Sequence, residues 1–168
     1  MRGRSQPIVF DAVVLANFAY ADRLDLIAGL YRGRGLVVSE VLDEIAAGIV
    51  AGYEKLLDIR PIVGLGKIQE ITLNRGERQR YTHLRRNLGS GEASCIAAAE
   101  ARNALVCTDD RLARAECSRL GIPFTGTIGV LKTACDRRIL TPAEADKILS
   151  RMIDAGFYSP IKVITEIL

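Results

Sequence analysis

The sequence predicts an α/β domain in which strand, helix and strand units surround a mainly parallel sheet. Short β-branched or apolar runs alternate with amphipathic or Ala-rich segments along the whole chain. The 168 residues are 49% hydrophobic and 26% charged, which is ordinary for a soluble globular domain. A chain of this length can bury a core without disulfides or a structural metal, so we expect a single domain over residues 1–168. A disordered tail, a collagen and a knottin are excluded.

The predicted elements follow from hydrophobic pattern and from turn and cap signals. Apolar runs predict strands at residues 8–10, 36–38, 105–107 and 122–124. Residues 68–73 could be an extra strand or a hairpin arm, in a stretch that Pro and Gly interrupt. Helices are expected over residues 13–30 with a break near 21–22, and over 39–50, 77–88, 92–102, 109–120 and 141–155. Ser39 can cap the second of these helices, and the sequence Thr-Pro-Ala-Glu at 141–144 is a strong helix start.

Charge and cysteine usage narrow the function. Twenty-three Lys and Arg against 20 Asp and Glu leave a net charge of +3, which is too small to require a nucleic-acid partner. Four cysteines lie ten or more residues apart with no C-x-x-C pair, which favours buried reduced thiols over disulfides or zinc. Because His83 is the single histidine, a multi-histidine metal site is excluded.

No membrane segment is expected. A basic amino terminus precedes an apolar stretch at residues 8–21, but Asp11 and Asn17 interrupt this stretch. No later run of eighteen uncharged apolar residues follows. We therefore expect a cytoplasmic protein with no membrane partner.

Acidic side chains follow the predicted strands at the edge where parallel sheets bind ligands. Asp11 follows the first strand, and Asp109 and Asp110 follow the strand at 105–107. Glu44 and Glu92 are expected in the first turns of helices that begin near the same edge. Such carboxylates would repel one another unless a cation neutralised them. Oxygen ligands with few histidines favour Mg²⁺ or Mn²⁺.

Each acid also has a structural interpretation. Asp11 lies in an otherwise apolar run, and a buried unpaired carboxylate is costly, so we favour a functional role. Glu92 could simply favour the positive end of its helix, and Asp109 or Asp110 could be an N-cap. Glu44 could be a solvated helix acid. The constellation, rather than any single acid, carries the inference.

Five segments, taken in order, resemble the PIN-domain nucleases, in particular the toxin-like proteins of the virulence-associated protein C type and a related prokaryotic branch. The segments are Phe10-Asp11 with Leu15, Asn17 and residues 23–26; residues 41–45; residues 91–94 with Ile96; residues 107–111; and residues 126–131. They cover most of the chain.

This resemblance implies a three-layer α/β/α fold, a Mg²⁺- or Mn²⁺-dependent ribonuclease activity, and a catalytic cluster that maps onto four acids: Asp11, Glu44, Glu92 and Asp110. Thr127 would add a hydroxyl. Asp11 and Asp110 are expected to hold the metal directly, and Asp109 to cap the following helix. Two positions depart from the family's pattern, since Val13 replaces a frequent hydroxyl residue and Glu92 replaces a frequent Asp.

Arginines precede Glu92 and could contact RNA. They are Arg75, Arg78, Arg80, Arg85 and Arg86, of which Arg78, Arg85 and Arg86 are the candidates for RNA binding. A solvated helix face, with Glu77 offsetting part of the charge, is an equally good interpretation. Tyr81 could stack on a base, although a core tyrosine is more common.

The resemblance also implies a homodimer and a small antitoxin partner, which could cover residues 13–30 with Tyr20 and Tyr31.

Two other functions stay open. The chain could be a non-catalytic PIN-fold module that binds RNA or protein. It could also be an acid-rich phosphatase, although the D-x-D motif is missing because Ala12 and Val13 follow Asp11.

Overall fold

Parallel strands form the central sheet of the computed structural model, which describes residues 6–168. The strands are β1 (Ile8–Phe10), β2 (Gly35–Val38), β3 (Gln69–Ile71), β4 (Leu105–Cys107) and β5 (Phe124–Thr125). Their order is β3-β2-β1-β4-β5, and every pair is parallel. The uncertain stretch at 68–73 therefore contains a strand, and because β3 runs parallel to β2 it is not a hairpin arm.

Helices flank the sheet and give the expected three-layer α/β/α architecture. They are α1 (Ala12–Tyr20), α2 (Leu24–Leu30), α3 (Ser39–Val50), α4 (Ile59–Gly64), α5 (Arg75–Leu84), α6 (Ser90–Arg102), α7 (Arg111–Leu120), α8 (Thr127–Asp136) and α9 (Pro142–Asp154). Two short 3-10 helices span Glu54–Asp58 and Ile164–Ile167. Helix α6 packs against β1, β2 and β4. The apolar β1 is fully buried, as expected for a central parallel strand covered on both faces.

Several local predictions are confirmed. The helical stretch after β1 breaks at Asp22, whose φ of 56° ends α1 before α2 begins. Helix α9 starts with a complete capping box between Thr141 and Glu144. The four cysteines are free thiols, three of them buried and Cys135 partly buried. No helix among the described residues is long and apolar enough to span a membrane.

Other boundaries were wrong for identifiable reasons. Ser39 is not the cap of α3, because its hydroxyl donates at 3.3 Å to the carbonyl of Ile71 on the neighbouring strand. The last strand starts at Phe124, since the amide of Ile122 is bonded to the carbonyl of Cys117 at the end of α7. Helix α6 begins at Ser90, two residues earlier than expected.

Candidate functional site

The acidic residues gather where the direction of the sheet's connections reverses. From β1 the chain moves outward to β2 and β3, then crosses back to place β4 and β5 on the other side of β1. Ligands of open α/β sheets bind outside the carboxyl ends of the strands at such a switch point. Asp11 follows β1, and Asp109 and Asp110 follow β4, so these acids flank the switch point.

Asp11 is the buried centre of this site. Its side chain is 1% exposed, and it accepts hydrogen bonds from the Ala12 amide at 2.8 Å and the Thr108 hydroxyl at 2.9 Å. Burial, followed by the negative charge of Glu92, raises the pKa of Asp11 to about 7, with a smaller contribution from Glu44. Asp11 forms no ion pair with any described residue. The folded protein therefore holds a carboxylate that lacks a countercharge.

Glu44 and Glu92 approach this carboxylate from two helices. Glu44 lies in the second turn of α3 rather than the first, and its Oε1 accepts a 2.8 Å hydrogen bond from the Gly91 amide in α6. Burial and nearby Glu92 raise the pKa of Glu44, while the Gly91 amide and the charge of Arg85 oppose the rise. A Cβ at Gly91 would lie 2.6 Å from Glu44 Oε2, so this close approach requires glycine.

Asp110, rather than the neighbouring Asp109, caps the helix that follows β4. Asp110 is the N-cap of α7, because its Oδ1 accepts the Ala113 amide at 2.8 Å. The prediction that Asp109 is the cap is therefore wrong. The helix begins at Arg111, so the residue directly before it has the extended backbone that capping needs. Thr108 links Asp110 to Asp11, since its hydroxyl accepts the Asp110 amide at 3.2 Å.

Asp109 instead belongs to a polar cluster with two other candidates from the sequence. Its carboxylate accepts the hydroxyl of Thr127 at 2.6 Å and the amide of Thr127 at 2.9 Å. Asn17 donates to Thr127 at 3.0 Å and to Asp109 at 3.3 Å. Arg114 adds an ion pair at 3.4 Å. These contacts tie α1, α7 and the start of α8 together beside β4.

The candidate acids are not assembled into a metal site in this structure. Among residues 6–168, no group of three or more His, Cys, Asp or Glu side chains is arranged to hold a metal ion. Three of the four candidate acids accept hydrogen bonds from main-chain amides instead. The donor set is nevertheless all oxygen, and the uncompensated charge at Asp11 is what a cation such as Mg²⁺ or Mn²⁺ would neutralise.

The candidate RNA-binding arginines have different surroundings. Arg78 pairs with Glu40 at 2.7 Å and lies over the ring of Tyr81, 5.4 Å from its centre. Arg85 donates to the carbonyl of Leu88 at 2.8 Å, and its positive charge opposes the rise in the pKa of Glu44. Arg86 is exposed, and its side chain makes no hydrogen bond or ion pair within the described part of the chain, although its main-chain amide donates to the carbonyl of His83.

The region expected to be covered by a partner, residues 13–30 with Tyr20 and Tyr31, is largely buried in the hydrophobic core. Tyr31 is 4% exposed and packs edge-on against Phe10, with ring centres 5.4 Å apart. Leu15 and Phe18 of α1 are fully buried. Tyr20 is half-buried, and Val13 is exposed. The proposed role of Tyr31 in a partner surface is therefore wrong, because the sequence does not reveal which face of α1 and α2 meets the sheet.

Sequence reasoning missed three polar residues near these elements. Thr108 is 1% exposed and positions Asp11. Glu77, expected on a solvated face, is 2% exposed, closes a capping box with Asn74 and pairs with Arg102 at 2.7 Å. The Asn-x-x-Glu spacing was the available signal for that box. Glu40 keeps one buried oxygen without a hydrogen-bond partner, and no sequence signal marked it.

A five-stranded parallel sheet flanked by helices, with acids at its switch point, defines an open α/β domain. The family model described as DUF3368: PIN domain matches residues 7–168, so the chain belongs to this PIN-domain family. It is also similar to the crystal structure of VapBC2 from Rickettsia felis bound to a DNA fragment from their promoter. The TM-score is 0.50 and the identity 18%, over 71% of this chain and 97% of that chain, which supports the fold. No curated protein sequence matches.

Proposed function

We propose that the protein is a metal-dependent endoribonuclease that hydrolyses RNA phosphodiester bonds. Its active site would consist of the carboxylates of Asp11, Glu44, Glu92 and Asp110. The observation that carries this proposal is the buried Asp11 carboxylate, which has no cationic partner among the described residues and lies close to Glu92 and Glu44. An unneutralised carboxylate group at a sheet's switch point is costly to folding and is explained by a bound cation.

Asp11 and Asp110 would hold Mg²⁺ or Mn²⁺ directly. A bound divalent ion lowers the pKa of its water and neutralises charge on the phosphate, so the reaction needs no protein nucleophile. Thr108 fixes one oxygen of Asp11, and the Gly91 amide fixes one oxygen of Glu44. The second oxygen of Glu44 and the carboxylate of Glu92 would orient the attacking water. The site would be stabilised on the β5 side by the hydrogen-bonded side chains of Asp109, Thr127 and Asn17.

RNA would approach along α5 and the loop that follows it. Arg85 is the best placed of the candidate arginines, because its charge already acts on Glu44. Arg86 is exposed and could bind a phosphate without giving up another partner. Arg78 would have to exchange its pair with Glu40 for a phosphate.

One observation favours the alternative of a PIN-fold module that binds RNA or protein without cleavage. The carboxylates of Asp11, Glu44 and Asp110 each accept a main-chain amide, and these bonds oppose convergence on one ion. In this alternative the acids are structural, and binding alone is the function.

The similarity to VapBC2 and the family resemblance support a biological setting for this activity. We propose that the chain is the cytoplasmic toxin of a toxin–antitoxin pair, restrained by a small antitoxin protein and assembled as a homodimer. Light scattering on the purified protein tests the dimer, and a monomer at high concentration would exclude it.

The activity is tested with purified protein and end-labelled RNA in Mg²⁺, in Mn²⁺ and in EDTA. Cleavage with either metal and none in EDTA supports the nuclease. RNA that is bound but left intact under all three conditions supports the binding module. Hydrolysis of a small phosphoester without RNA cleavage would instead support the phosphatase interpretation.

A further inference from the structure

A pocket of about 490 Å³ lies beside Asp109, on the β5 side of the acidic site. Its walls come from the first turns of α7, from β5 and the start of α8, and from residues 157–160 near the carboxyl end. This volume falls within the roughly 300–1,000 Å³ of typical small-ligand sites. The pocket is therefore large enough to take part of a substrate held at the acids.

Aromatic rings line the pocket, and two of them, Phe124 and Tyr158, are exposed, whereas Phe157 also packs against the core. Tyr158 is 96% exposed, and Phe124 is 37% exposed although it lies in a strand. Phe157 is half-buried beside them. Exposed aromatic rings in a nucleic-acid-binding protein serve as stacking surfaces for bases. Their clustering in one pocket favours a flat, apolar ligand.

Two arginines supply the positive charge of the same pocket. Arg114 donates at 2.9 Å to the carbonyl of Thr108, and its guanidinium lies 5.5 Å from the centre of the Phe124 ring. These contacts hold the cation in place before any ligand arrives. Arg111, the first residue of α7, is exposed at the rim. A phosphate beside the aromatic rings would therefore meet the hydrogen-bonded guanidinium of Arg114 and the exposed guanidinium of Arg111.

Asp109 supplies a carboxylate to the pocket wall, and its ion pair with Arg114 at 3.4 Å offsets part of the negative charge. Both oxygens of Asp109 are already bonded to Thr127, Asn17 or Arg114. Because Asp109 directly precedes Asp110, a nucleotide in this pocket would be next to the one whose phosphate reaches the acids. The pocket therefore borders the loop that carries Asp110 of the proposed active site.

We propose that this pocket binds one unpaired base of single-stranded RNA beside the scissile phosphate, with Tyr158 as its principal stacking surface. The inference rests on the proposed ribonuclease function and adds a substrate subsite to it. Arg111 and Arg114 bind the phosphates on either side of the stacked nucleotide. Through this contact the pocket contributes to the choice of cleavage position.

The test measures the affinity of the protein for fluorescent single-stranded RNA in EDTA, where cleavage is absent. In a series of these oligonucleotides, each member lacks the base at one different position. We expect one abasic position to weaken binding to the wild-type protein by about tenfold. Tyr158→Ala should bind the intact RNA about tenfold more weakly and should no longer respond to that position. Tyr158→Phe should behave as wild type. Tyr53→Ala is the matched control, because Tyr53 is also exposed but follows the far end of α3.

The outcomes separate the subsite from the activity. Wild-type protein that cleaves RNA with Mn²⁺, but shows no abasic position specific to Tyr158, overturns the subsite and leaves the nuclease intact. Wild-type protein that neither binds nor cleaves RNA overturns the proposed function together with its subsite. Loss of RNA binding in Tyr53→Ala equal to that in Tyr158→Ala would also overturn the inference, because the effect would not belong to the pocket.

Discussion

Replacing Asp11 with Asn should stabilise the metal-free protein at pH 8. Burial and the neighbouring Glu92 raise the pKa of Asp11 from 3.8 to about 7 in the folded state. Well below pH 3.8 the carboxyl group is protonated in both the folded and the unfolded chain and adds no penalty. Between about pH 4 and pH 7 the unfolded chain loses the proton first, so the free energy of unfolding falls. Above pH 7 the penalty levels off at about 4 kcal/mol.

The Asn side chain removes this penalty at the expense of one hydrogen bond. It can still accept the Ala12 amide, but relative to the protonated carboxyl group it gives up one neutral hydrogen bond with Thr108, which is worth about 1 kcal/mol. The net gain at pH 8 should be about 2–3 kcal/mol, and it should vanish or reverse at pH 4.

Urea unfolding in EDTA at pH 8 and pH 4 measures the difference. Asp154→Asn is the matched control, because Asp154 is an exposed acid at the end of α9 and its neutralisation should change little. A variant at Asp11 that is less stable at both pH values, or equally stabilised at both, would refute the charge argument.

Three further substitutions test the surrounding structure. Gly91→Ala should displace the Glu44 carboxylate and lower cleavage of labelled RNA by about tenfold or more. Gly64→Ala is the control, because a Cβ at Gly64 would meet open space and should leave cleavage unchanged. Equal activities of the two variants would contradict the requirement for glycine at position 91. Asp110→Ala should lower the free energy of unfolding in urea by about 1 kcal/mol through loss of the cap and should also abolish cleavage, and an unchanged stability would contradict its capping role. Glu77→Ala should cost about 1–2 kcal/mol because it removes the capping box of α5 and the ion pair with the partly exposed Arg102. A change near zero by urea unfolding would show that neither contact adds to stability.

Elements with strong local signals were predictable from the sequence. Strands β1 and β4 read as apolar runs because the sheet is covered on both faces, and that pattern needs no knowledge of their partners. The capping box at Thr141 encodes its helix start in four residues. Helix α8 was not predicted, because Gly129 and several β-branched residues give it low helix propensity, and burial of its Val130 and Leu131 supports it instead.

The candidate site was predictable as a set of acids but not in its detail. The unusual Asp11 between apolar neighbours signals a buried carboxylate, and the structure buries it. The roles of Asp109 and Asp110 depend on the backbone angle at which α7 begins, and two adjacent acids give the same sequence signal for a cap. The hydroxyl of Thr108 acts on Asp11 only because β1 and β4 are paired in register, which is a tertiary contact.

Cleavage of end-labelled RNA by wild-type protein and Asp11→Asn, purified in parallel and assayed in Mn²⁺, tests the central claim most directly. The account predicts cleavage by the wild-type protein and a loss of about 100-fold or more in the variant, because the buried carboxylate would hold the metal. The urea midpoint measured on the same samples shows that the variant is folded. Equal cleavage by a folded Asp11→Asn protein would contradict the assignment of this acidic cluster as the active site.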